Sequence, residues 1–398
     1  MDKFIKFRIL PLLLTMFSCI VTNGQTSLTT GQEVRYNPIS TAVPFLTITP
    51  DSRHGAMGDV GVATSPDANS QYLNAAKYVF AEEKQGFAIS YTPWLRQLVS
   101  DINLAYLAGY SRLSNTQAIG YSLRYFSMGD ITLTSADEME IGVVSPSEFA
   151  LDFSYSMKLS NNLSGGVTLR FIRSNLSGGI GAEVYDVGNA FATDVSFYYT
   201  RQWGGIGSAK SISAGANLSN IGSKISYDQG ANKEFLPANM KLGTTFYNEF
   251  DDYNSISISM DINKLLIPTP ANQITYADDG SIIILPDNTT NKNTISALFS
   301  SFTDAPGHLK EELQEYNIST GIEYWYNKQF AIRTGYFNES INKGNRKFFT
   351  AGVGVKMNIA AIDFSYVIPL HQNNPLANTI RFTLLFDLKT FNSFKKKN

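Results

Sequence analysis

Few side chains in this 398-residue sequence have the types and spacing that catalysis or metal binding requires. The three histidines, His54, His308 and His371, lie far apart, and none has a second histidine or a cysteine at metal-ligand spacing. The only cysteine is Cys19. Triads are defined by geometry, so the many serines and aspartates leave a serine hydrolase open as one interpretation. No Gly-x-Ser-x-Gly motif occurs, however, and we expect no catalytic, metal or cofactor site.

Two short motifs suggest chemistry that their context does not support. Asp278 and Asp279 could form an acid pair, but Gly280 follows them, and this combination is typical of a turn. The stretch "GGIG" at 178–181 precedes neither Lys-Ser/Thr nor a helix, so a flexible loop is a better interpretation than a phosphate-binding loop.

The composition excludes one class of partner, and the N-terminus predicts export. Only 17% of residues are charged and the formal net charge is −2, which gives no electrostatic basis for nucleic-acid binding. Lys3, Lys6 and Arg8 precede an apolar run at 9–21 that is too short for a membrane helix. This pattern predicts a Sec-type signal peptide over residues 1–24.

Strict alternation of apolar and polar residues indicates that β-strands would position any site. In "SISISMDI" (255–262), four apolar residues alternate with three serines and an aspartate. Because neighbouring side chains of a strand point to opposite faces, Ile256, Ile258, Met260 and Ile262 share one apolar face. That face contacts either a protein core or lipid.

The same alternation repeats along the chain and predicts about fourteen strands of roughly ten residues each. The predicted strands are 86–95, 101–111, 116–129, 149–159, 163–174, 190–202, 210–219, 238–249, 253–264, 315–326, 329–338, 346–357, 360–369 and 377–388. Their connections alternate between short and long, as in outer-membrane barrels. Soluble β-sandwiches, the alternative, have strands of about five or six residues. We therefore predict an all-β, 14-stranded antiparallel transmembrane β-barrel with an N-terminal hatch, in the bacterial outer membrane.

This topology assigns every part of the chain. Residues 25–85 lack strand rhythm, contain a short helix near 70–80 and are expected to plug the barrel at or inside its periplasmic mouth. The barrel covers 86–388, and a periplasmic tail covers 389–398. The predicted long extracellular loops are about 130–148, 175–189, 220–237 and 265–314, the last with a candidate helix near 294–302.

Several charged residues fall on the inward parity of the predicted strands. They form either a polar interior that pairs with itself and with the hatch, or a contact surface for a transported molecule. These residues are Arg124, Arg170, Glu323, Lys356, Asp363, Arg381 and Asp387.

Three separated motifs carry a resemblance to a known family. They are "PDSRHGAMGDVGVATSPDANSQYLNAAKY" (50–78), "NLSNIGSKISY…FLPANMKLG" (217–243) and "DFSYVIPLHQNNPLANTIRFTLLFDL" (363–388). Together they resemble the PorV family of the type IX secretion system of Bacteroidetes, within the FadL-like 14-stranded barrels with an N-terminal hatch. One departure is visible, because the family pattern has Asn-Pro where this chain has Asn74-Ala75.

The resemblance implies a non-enzymatic cargo shuttle. Such proteins bind the C-terminal signal domain of secreted cargo at the SprA (Sov) translocon and carry it to the PorU, PorZ and PorQ attachment complex, in which PorU is the sortase. A link of the family to lipopolysaccharide deacylation adds an outer-membrane hydrolase as a third interpretation. The remaining interpretation, the alternative to the shuttle, is a FadL-like channel for hydrophobic small molecules, which needs an apolar groove leading to a lumenal pocket.

The 265–314 loop supplies the candidate residues for cargo or partner binding. Two of its stretches, "LLIPTP" (265–270) and "SIIILP" (281–286), are apolar although the predicted topology places them outside the hydrocarbon. Exposed apolar patches mark interfaces, and "SIIILP" could also pair with the edge of a β-rich cargo domain. The candidates are Leu265, Leu266, Ile267, Ile282, Ile283, Ile284 and Leu285.

Overall fold

The protein is seen here as a computed structural model that describes residues 37–387 with gaps. The gaps are 97–98, 100, 135–136, 138, 178–185, 206, 229, 231, 271–273, 277–281, 285–291, 359 and 371–375. No helix among the described residues is long and apolar enough to cross a membrane.

Strands account for most of the described chain. They are β1 (Gln85–Pro93), β2 (Asn103–Arg112), β3 (Gln117–Ser127), β4 (Ile131–Thr134), β5 (Glu140–Val144), β6 (Ser147–Lys158), β7 (Leu163–Asn175), β8 (Gly188–Trp203), β9 (Lys210–Gly222), β10 (Asn239–Glu249), β11 (Asn254–Leu265), β12 (Ile274–Tyr276), β13 (Ile282–Ile284), β14 (Asn317–Tyr326), β15 (Phe330–Asn338), β16 (Lys347–Lys356), β17 (Ala360–Pro369) and β18 (Ile380–Asp387).

Fourteen of these strands form one closed antiparallel barrel. Each strand pairs with its neighbours in the chain, and β1 closes the barrel on β18, with Gly86 opposite Asp387 and Tyr91 opposite Phe382. The remaining four strands form two separate hairpins, β4–β5 and β12–β13. The predicted fold class is confirmed, and every predicted barrel strand is present with its ends within three residues of the expected positions.

The two ends of the barrel differ in their connections. One end, called here the short-turn end, carries only the brief connections 113–116, 159–162, 204–209, 250–253, 327–329 and 357–359. The other, the long-loop end, carries both extra hairpins and two helices, α3 (Thr294–Ser300) and α4 (His308–Gln314). Outer-membrane barrels keep their short turns in the periplasm, so we expect the long-loop end to face outward.

Burial alternates along the strands as the sequence predicts. In β11, Ile258 is 47% exposed on the outer face, whereas Ser259 and Asp261 are buried inside. The apolar face of "SISISMDI" therefore points away from the protein. An apolar outer band and a polar interior are the pattern of a barrel that contacts lipid.

The N-terminal segment, residues 37–84, lies inside the barrel and is called the hatch segment below. It contains two short α-helices, α1 (Ser52–Gly55) and α2 (Ser70–Leu73), and two 3₁₀ helices, Pro44–Thr47 and Ala75–Phe80. Nearly all residues from 42 to 81 are buried or half-buried.

The hatch segment runs the length of the lumen, from the long-loop end to the short-turn end. At the long-loop end, the Asn37 N–H donates to the Asn342 carbonyl at 2.9 Å, and the Ala42 N–H donates to Phe235 at 3.1 Å. At the short-turn end, the segment continues into β1, and the Lys84 carbonyl accepts from the Arg112 N–H at 2.8 Å. The segment enters from the outer side because its first apolar residues, including Phe45 and Leu46, pack against apolar residues of that end.

Candidate functional site at the long-loop end of the barrel

Buried ion pairs attach the hatch segment to the barrel wall. Arg53 donates two hydrogen bonds to Glu323, with Nε–Oε2 at 3.0 Å and Nη2–Oε1 at 2.8 Å. Arg333 also donates to Glu323, at 2.7 Å, and to Asp363 at 2.6 Å. Arg53 pairs further with Asp67 of the hatch segment at 2.9 Å. Because removing one partner of a buried pair leaves an uncompensated charge, this network fixes the segment against β14 and β15.

A second network lies on the opposite wall. Arg170 pairs with Asp152 at 2.6 Å and with Asp194 at 3.0 Å, and it also donates to Asn220. Two other wall arginines hold hatch carbonyls: Arg124 donates to Leu46, and Arg381 donates to Thr49.

The charges predicted to face the lumen can now be placed. Arg124, Arg170, Glu323, Asp363 and Arg381 are buried and bonded to the wall or to the hatch segment, as the first of the two interpretations expects. Lys356 is exposed at the short-turn end of β16, and the side chain of Asp387 lies outside the described residues.

A buried polar chain stabilises the hatch segment internally. His54 Nδ1 lies 2.9 Å from Asp51, and His54 Nε2 lies 3.2 Å from the Thr64 hydroxyl. Lys77 donates to the Gly61 carbonyl at 2.8 Å and to Thr64 at 3.1 Å. The order Asp–His–hydroxyl resembles a hydrolase triad. However, the Thr64 hydroxyl is buried and donates to Gly61, which makes the chain structural.

Glycines in the wall make room for a tight turn of the hatch segment. Gly321 of β14 and Gly335 of β15 are register partners, and both lie against Met57. A Cβ on Gly335 would lie 2.1 Å from the Met57 carbonyl carbon and 2.2 Å from the Gly58 nitrogen. Gly58 itself has a φ of +70°, a conformation that side chains disfavour. The backbone of the turn therefore touches the backbone of the wall.

The loop between β11 and β14 forms a cap over the long-loop end. Ala297 of α3 packs in one cluster with Phe235, Ala238, Leu266 and Ile267. This packing joins α3 to the ends of β10 and β11.

Ion pairs hold α4 in the same cap. Lys264 pairs with Glu312 at 3.1 Å and also with Glu315, and Lys343 pairs with Glu311 at 2.7 Å. Burial alone would raise the pKa of Glu311, but hydrogen bonds from Lys343 and from the Gly307 N–H outweigh it and lower that pKa. The cap is therefore fixed to β11 and to the β15–β16 connection.

The outward face of this cap is apolar. Helix α3 buries a small residue, Ala297, and exposes large ones: Phe299 is 75% exposed and Ile295 is 62% exposed. In α4, Leu309 is 73% exposed, and Leu313 lies one turn further along the same face. Large apolar side chains on outer loops whose inner faces are already packed mark an interaction surface. We call these four residues (Ile295, Phe299, Leu309 and Leu313) the cap patch.

The residues predicted from the sequence to bind cargo lie in the same loop but fall into three groups. Leu266 and Ile267 are buried beneath α3, so the expectation that they form an exposed patch is wrong: α3 covers them. Leu265 is half-buried and faces a lumenal cavity. Ile282, Ile283 and Ile284 form β13, whose side chains are outside the described residues, as is all of Leu285. No sequence signal singled out the cap patch, because the two helices are short and their covered face was unknown.

A cavity of about 380 Å³ lies beneath the cap, between the hatch segment and the wall. Its wall side is mostly polar, with Asn217, Lys241, Asn263, Asn317 and Glu339 from five neighbouring strands and loops. Its hatch side includes Ile39, Thr41, Thr49 and Tyr72. The cavity can therefore offer hydrogen bonds on its wall side and an apolar surface on its hatch side.

Comparison with known protein families identifies the chain. The family model for Type IX secretion system protein PorV matches residues 31–272, which is more than half of the sequence. The chain belongs to the PorV family. A search of curated proteins found no match.

Solved structures give weaker likenesses to this PorV-family chain. The Pseudomonas putida toluene transporter TodX is 12% identical, with 88% of this chain and 99% of TodX covered and a TM-score of 0.48. The Ralstonia pickettii toluene transporter TbuX is 13% identical, with 85% and 96% covered and a TM-score of 0.45. A Pseudomonas aeruginosa FadL homologue is 11% identical, with 88% and 99% covered and a TM-score of 0.41.

The one departure from the family pattern is accommodated locally. The Asn74 side chain accepts from the Ala76 N–H at 3.0 Å and so caps the 3₁₀ helix that begins at Ala75. Its amide group also donates to the carbonyls of Val62 and Phe197, both at 2.9 Å. Asn74 therefore ties the hatch segment to β8 without a proline.

The remaining residues that suggested chemistry are dispersed. His308 is exposed at the start of α4, whereas His371, Asp278 and Asp279 are outside the described residues. Among the described residues, no group of three or more His, Cys, Asp or Glu side chains is arranged to hold a metal ion.

Proposed function

We propose that this PorV-family barrel is the outer-membrane cargo shuttle of a type IX secretion system. In this function it binds the C-terminal signal domain of secreted cargo at the SprA (Sov) translocon. It then carries the cargo to the surface attachment complex of PorU, PorZ and PorQ. The barrel contributes binding and positioning, and we propose no enzymatic step.

The cap patch is the observation that carries this proposal. Its four large apolar side chains face outward from a cap whose inner side is already packed. Each fully buried Phe, Leu or Ile side chain contributes about 1.5–3 kcal/mol relative to exposure, so covering the patch provides substantial binding energy. Large apolar anchors surrounded by polar residues are typical of binding hot spots.

The β12–β13 hairpin offers a second point of contact in the same loop. It lies in neither the barrel nor the cap helices and pairs only with itself among the described strands. A short unpaired edge can extend the sheet of a β-rich partner through main-chain hydrogen bonds. Ile282, Ile283 and Ile284 therefore remain proposed contact residues, together with Leu285.

A channel for hydrophobic small molecules is the second candidate. The fold supports it in general terms, since a closed barrel with a lumenal segment could hold a ligand path. The polar wall of the lumenal cavity disfavours it, because apolar ligands need an apolar groove that leads to an apolar pocket.

The test uses full-length protein in its native membrane, with a tagged cargo C-terminal domain. The variant carries Ile295→Ser and Phe299→Ser, and Ile341→Ser, an exposed apolar residue of another outer connection, is the matched control. We expect the double variant to fold normally, because both side chains are exposed, and to co-purify about tenfold less cargo or worse. A second arm deletes residues 268–290 to test the hairpin.

The outcomes separate the candidates. Loss of cargo in the double variant but not in Ile341→Ser supports the cap patch, and loss only in the deletion moves the contact to the hairpin. Undiminished cargo binding in both refutes docking through this loop. Normal secretion combined with a growth defect on long-chain fatty acids would favour the small-molecule channel.

A further inference from the structure

One cation that lines the lumenal cavity makes no ion pair with the residues that the structure describes. Arg170, Lys343 and Arg346, which also line it, are paired with carboxylates. Lys241 has neither an ion pair nor a side-chain hydrogen bond within the described part of the chain. Its ammonium group lies 6.0 Å from the centre of the Tyr72 ring. The buried carboxylate of Asp261 interacts with this charge but makes no direct ion pair with it, so the ammonium group can still bind an occupant.

Amide side chains flank this cation in register. Their positions are opposite one another in the backbone register of four adjacent strands. Asn217 lies opposite Lys241, Lys241 opposite Asn263, and Asn263 opposite Asn317. All four side chains line the cavity. The row thus consists of one ammonium group between amides, spread across β9, β10, β11 and β14.

The hydrogen bonding of these amides is incomplete. Asn217 and Asn317 are each only 6% exposed, yet their Oδ1 atoms, like that of Asn263, have no hydrogen-bond partner in the described part of the chain. A buried amide group without a partner is destabilising, so such a row calls for an occupant. A half-turn of the Asn217 or Asn263 amide exchanges its oxygen and nitrogen, whereas the Asn317 amide is fixed because it donates to Glu339 at 3.4 Å. The row can therefore present acceptors or donors, and a hydroxyl group matches both.

The hatch side adds a partly apolar surface. Ile39, Leu46 and the ring of Tyr72 line the cavity opposite the amide row. A ligand that carries hydroxyl groups on one edge and C–H bonds on its face satisfies both sides. The volume of about 380 Å³ is at the lower end of the usual range of small-ligand sites.

We propose that this cavity binds a small hydroxyl-rich anion, chemically a sugar acid. Its carboxylate lies on Lys241, and its hydroxyl groups lie on the amides of Asn217, Asn263 and Asn317. This site lies beneath the cap and uses none of the cap-patch residues, so its occupancy can be measured without cargo. It also differs from a hydrocarbon site, since its wall offers hydrogen bonds and a positive charge.

The experiment is calorimetric titration of the detergent-solubilised full chain with matched probes. Glucuronate carries both the carboxylate and the ring hydroxyl groups. Glucose lacks the carboxylate, acetate lacks the ring hydroxyl groups, and laurate has a long apolar chain. We expect saturable binding of glucuronate, about tenfold weaker binding of glucose and no measurable binding of acetate, since a charge-assisted hydrogen bond is worth about a factor of ten or more.

Two variants assign the groups. Lys241→Gln should reduce glucuronate affinity to that of glucose, because it removes the charge and keeps a polar side chain. Asn263→Ala should weaken the binding of glucuronate and of glucose by a similar factor. Lys210→Gln, at the exposed start of β9 at the short-turn end, is the control and should change neither.

The results decide the proposal in either direction. The expected ranking of probes together with the charge-specific effect of Lys241→Gln supports it. Absence of saturable glucuronate binding to the unaltered chain overturns it, as does unchanged affinity in a folded Lys241→Gln protein. Tighter binding of laurate than of glucuronate would also overturn it and would support an apolar channel.

Discussion

The contact between the hatch turn and the wall glycines predicts that one methyl group will loosen the hatch segment. In Gly335→Ala, the new Cβ would lie 2.1 Å from the Met57 carbonyl carbon and 2.2 Å from the Gly58 nitrogen. Both neighbours are backbone atoms, so neither can rotate away as the end of a side chain could. Because real Cβ contacts lie at about 3.4–4 Å, the turn must move by more than about 1 Å.

The magnitude follows from what this movement disrupts. Overpacking of a filled site costs about 1–3 kcal/mol. The shift also disturbs the hydrogen bond from the Gly58 N–H to Thr350 at 2.9 Å, and that from the Thr350 hydroxyl to the Ala56 carbonyl at 2.7 Å. Each is worth about 1 kcal/mol. A local cost of about 3 kcal/mol raises the open population of the hatch segment about a hundredfold.

Limited trypsin digestion measures that population. Arg53 and Lys77 are both buried in the hatch segment, so cleavage there requires the segment to leave the wall. We expect the Gly335→Ala protein in detergent to be cut at these sites about a hundred times faster than the unaltered chain. Its barrel should keep normal heat-modifiable migration, because the Gly335 backbone pairing is unchanged.

Gly165→Ala is the matched control for this prediction. Gly165 also lies in the wall, but a Cβ there would meet only side-chain atoms of Leu159 and Phe197, at 3.3 Å and beyond. Equal cleavage rates for Gly335→Ala and the unaltered chain would refute the packing argument. Equal acceleration by Gly165→Ala would show that any added methyl group in the wall has this effect.

Two further predictions test the membrane topology. Ile258→Asp should reduce the amount of assembled barrel in membranes far more than Ser257→Asp. An ionised group on the lipid face is costly near mid-membrane, whereas inward positions tolerate polarity. Equal yields of the two variants in membrane fractions would mean that the faces are wrongly assigned. A cysteine at Glu140, in the β4–β5 hairpin, should react with an impermeant maleimide on intact cells, and one at Asn161 should react only after the outer membrane is opened. Labelling of the Asn161 cysteine on intact cells would show that the barrel has the opposite orientation in the membrane.

The barrel was predictable because its signals are local. Alternation along Ile258, Met260 and their neighbours gives the face of each strand, and the turn residues give the strand ends. The asymmetry of the connections gave both the closed architecture and the position of the long loops. None of these inferences needed a contact between distant residues.

The path of the hatch segment was not predictable in the same way. Its position depends on pairs such as Arg53 with Glu323, which are 270 residues apart, and on wall glycines such as Gly335 whose neighbours only the fold reveals. Leu266 and Ile267 illustrate the same limit: their apolar character was correctly noted, but α3 covers them, and the exposed apolar residues are on α3 itself. The sequence thus indicated the loop but not which residues form its outward face.

The cap patch, the cavity and the start of the hatch segment share one set of contacts. Ile39 packs against the cluster that holds Ala297, and the Asn37 side chain donates to Glu311 of α4 at 3.0 Å. Ile39 also lines the cavity.

Any displacement of α3 or α4 therefore disturbs the packing of the first hatch residues and the boundary of the cavity at once. The firm attachments of the hatch segment, Arg53 to Glu323 and Met57 to the wall glycines, lie deeper in the lumen. If a partner docks on the cap patch as proposed, we expect it to act first on residues 37–39 and on the cavity, while the ion pairs below keep the rest of the hatch segment in place.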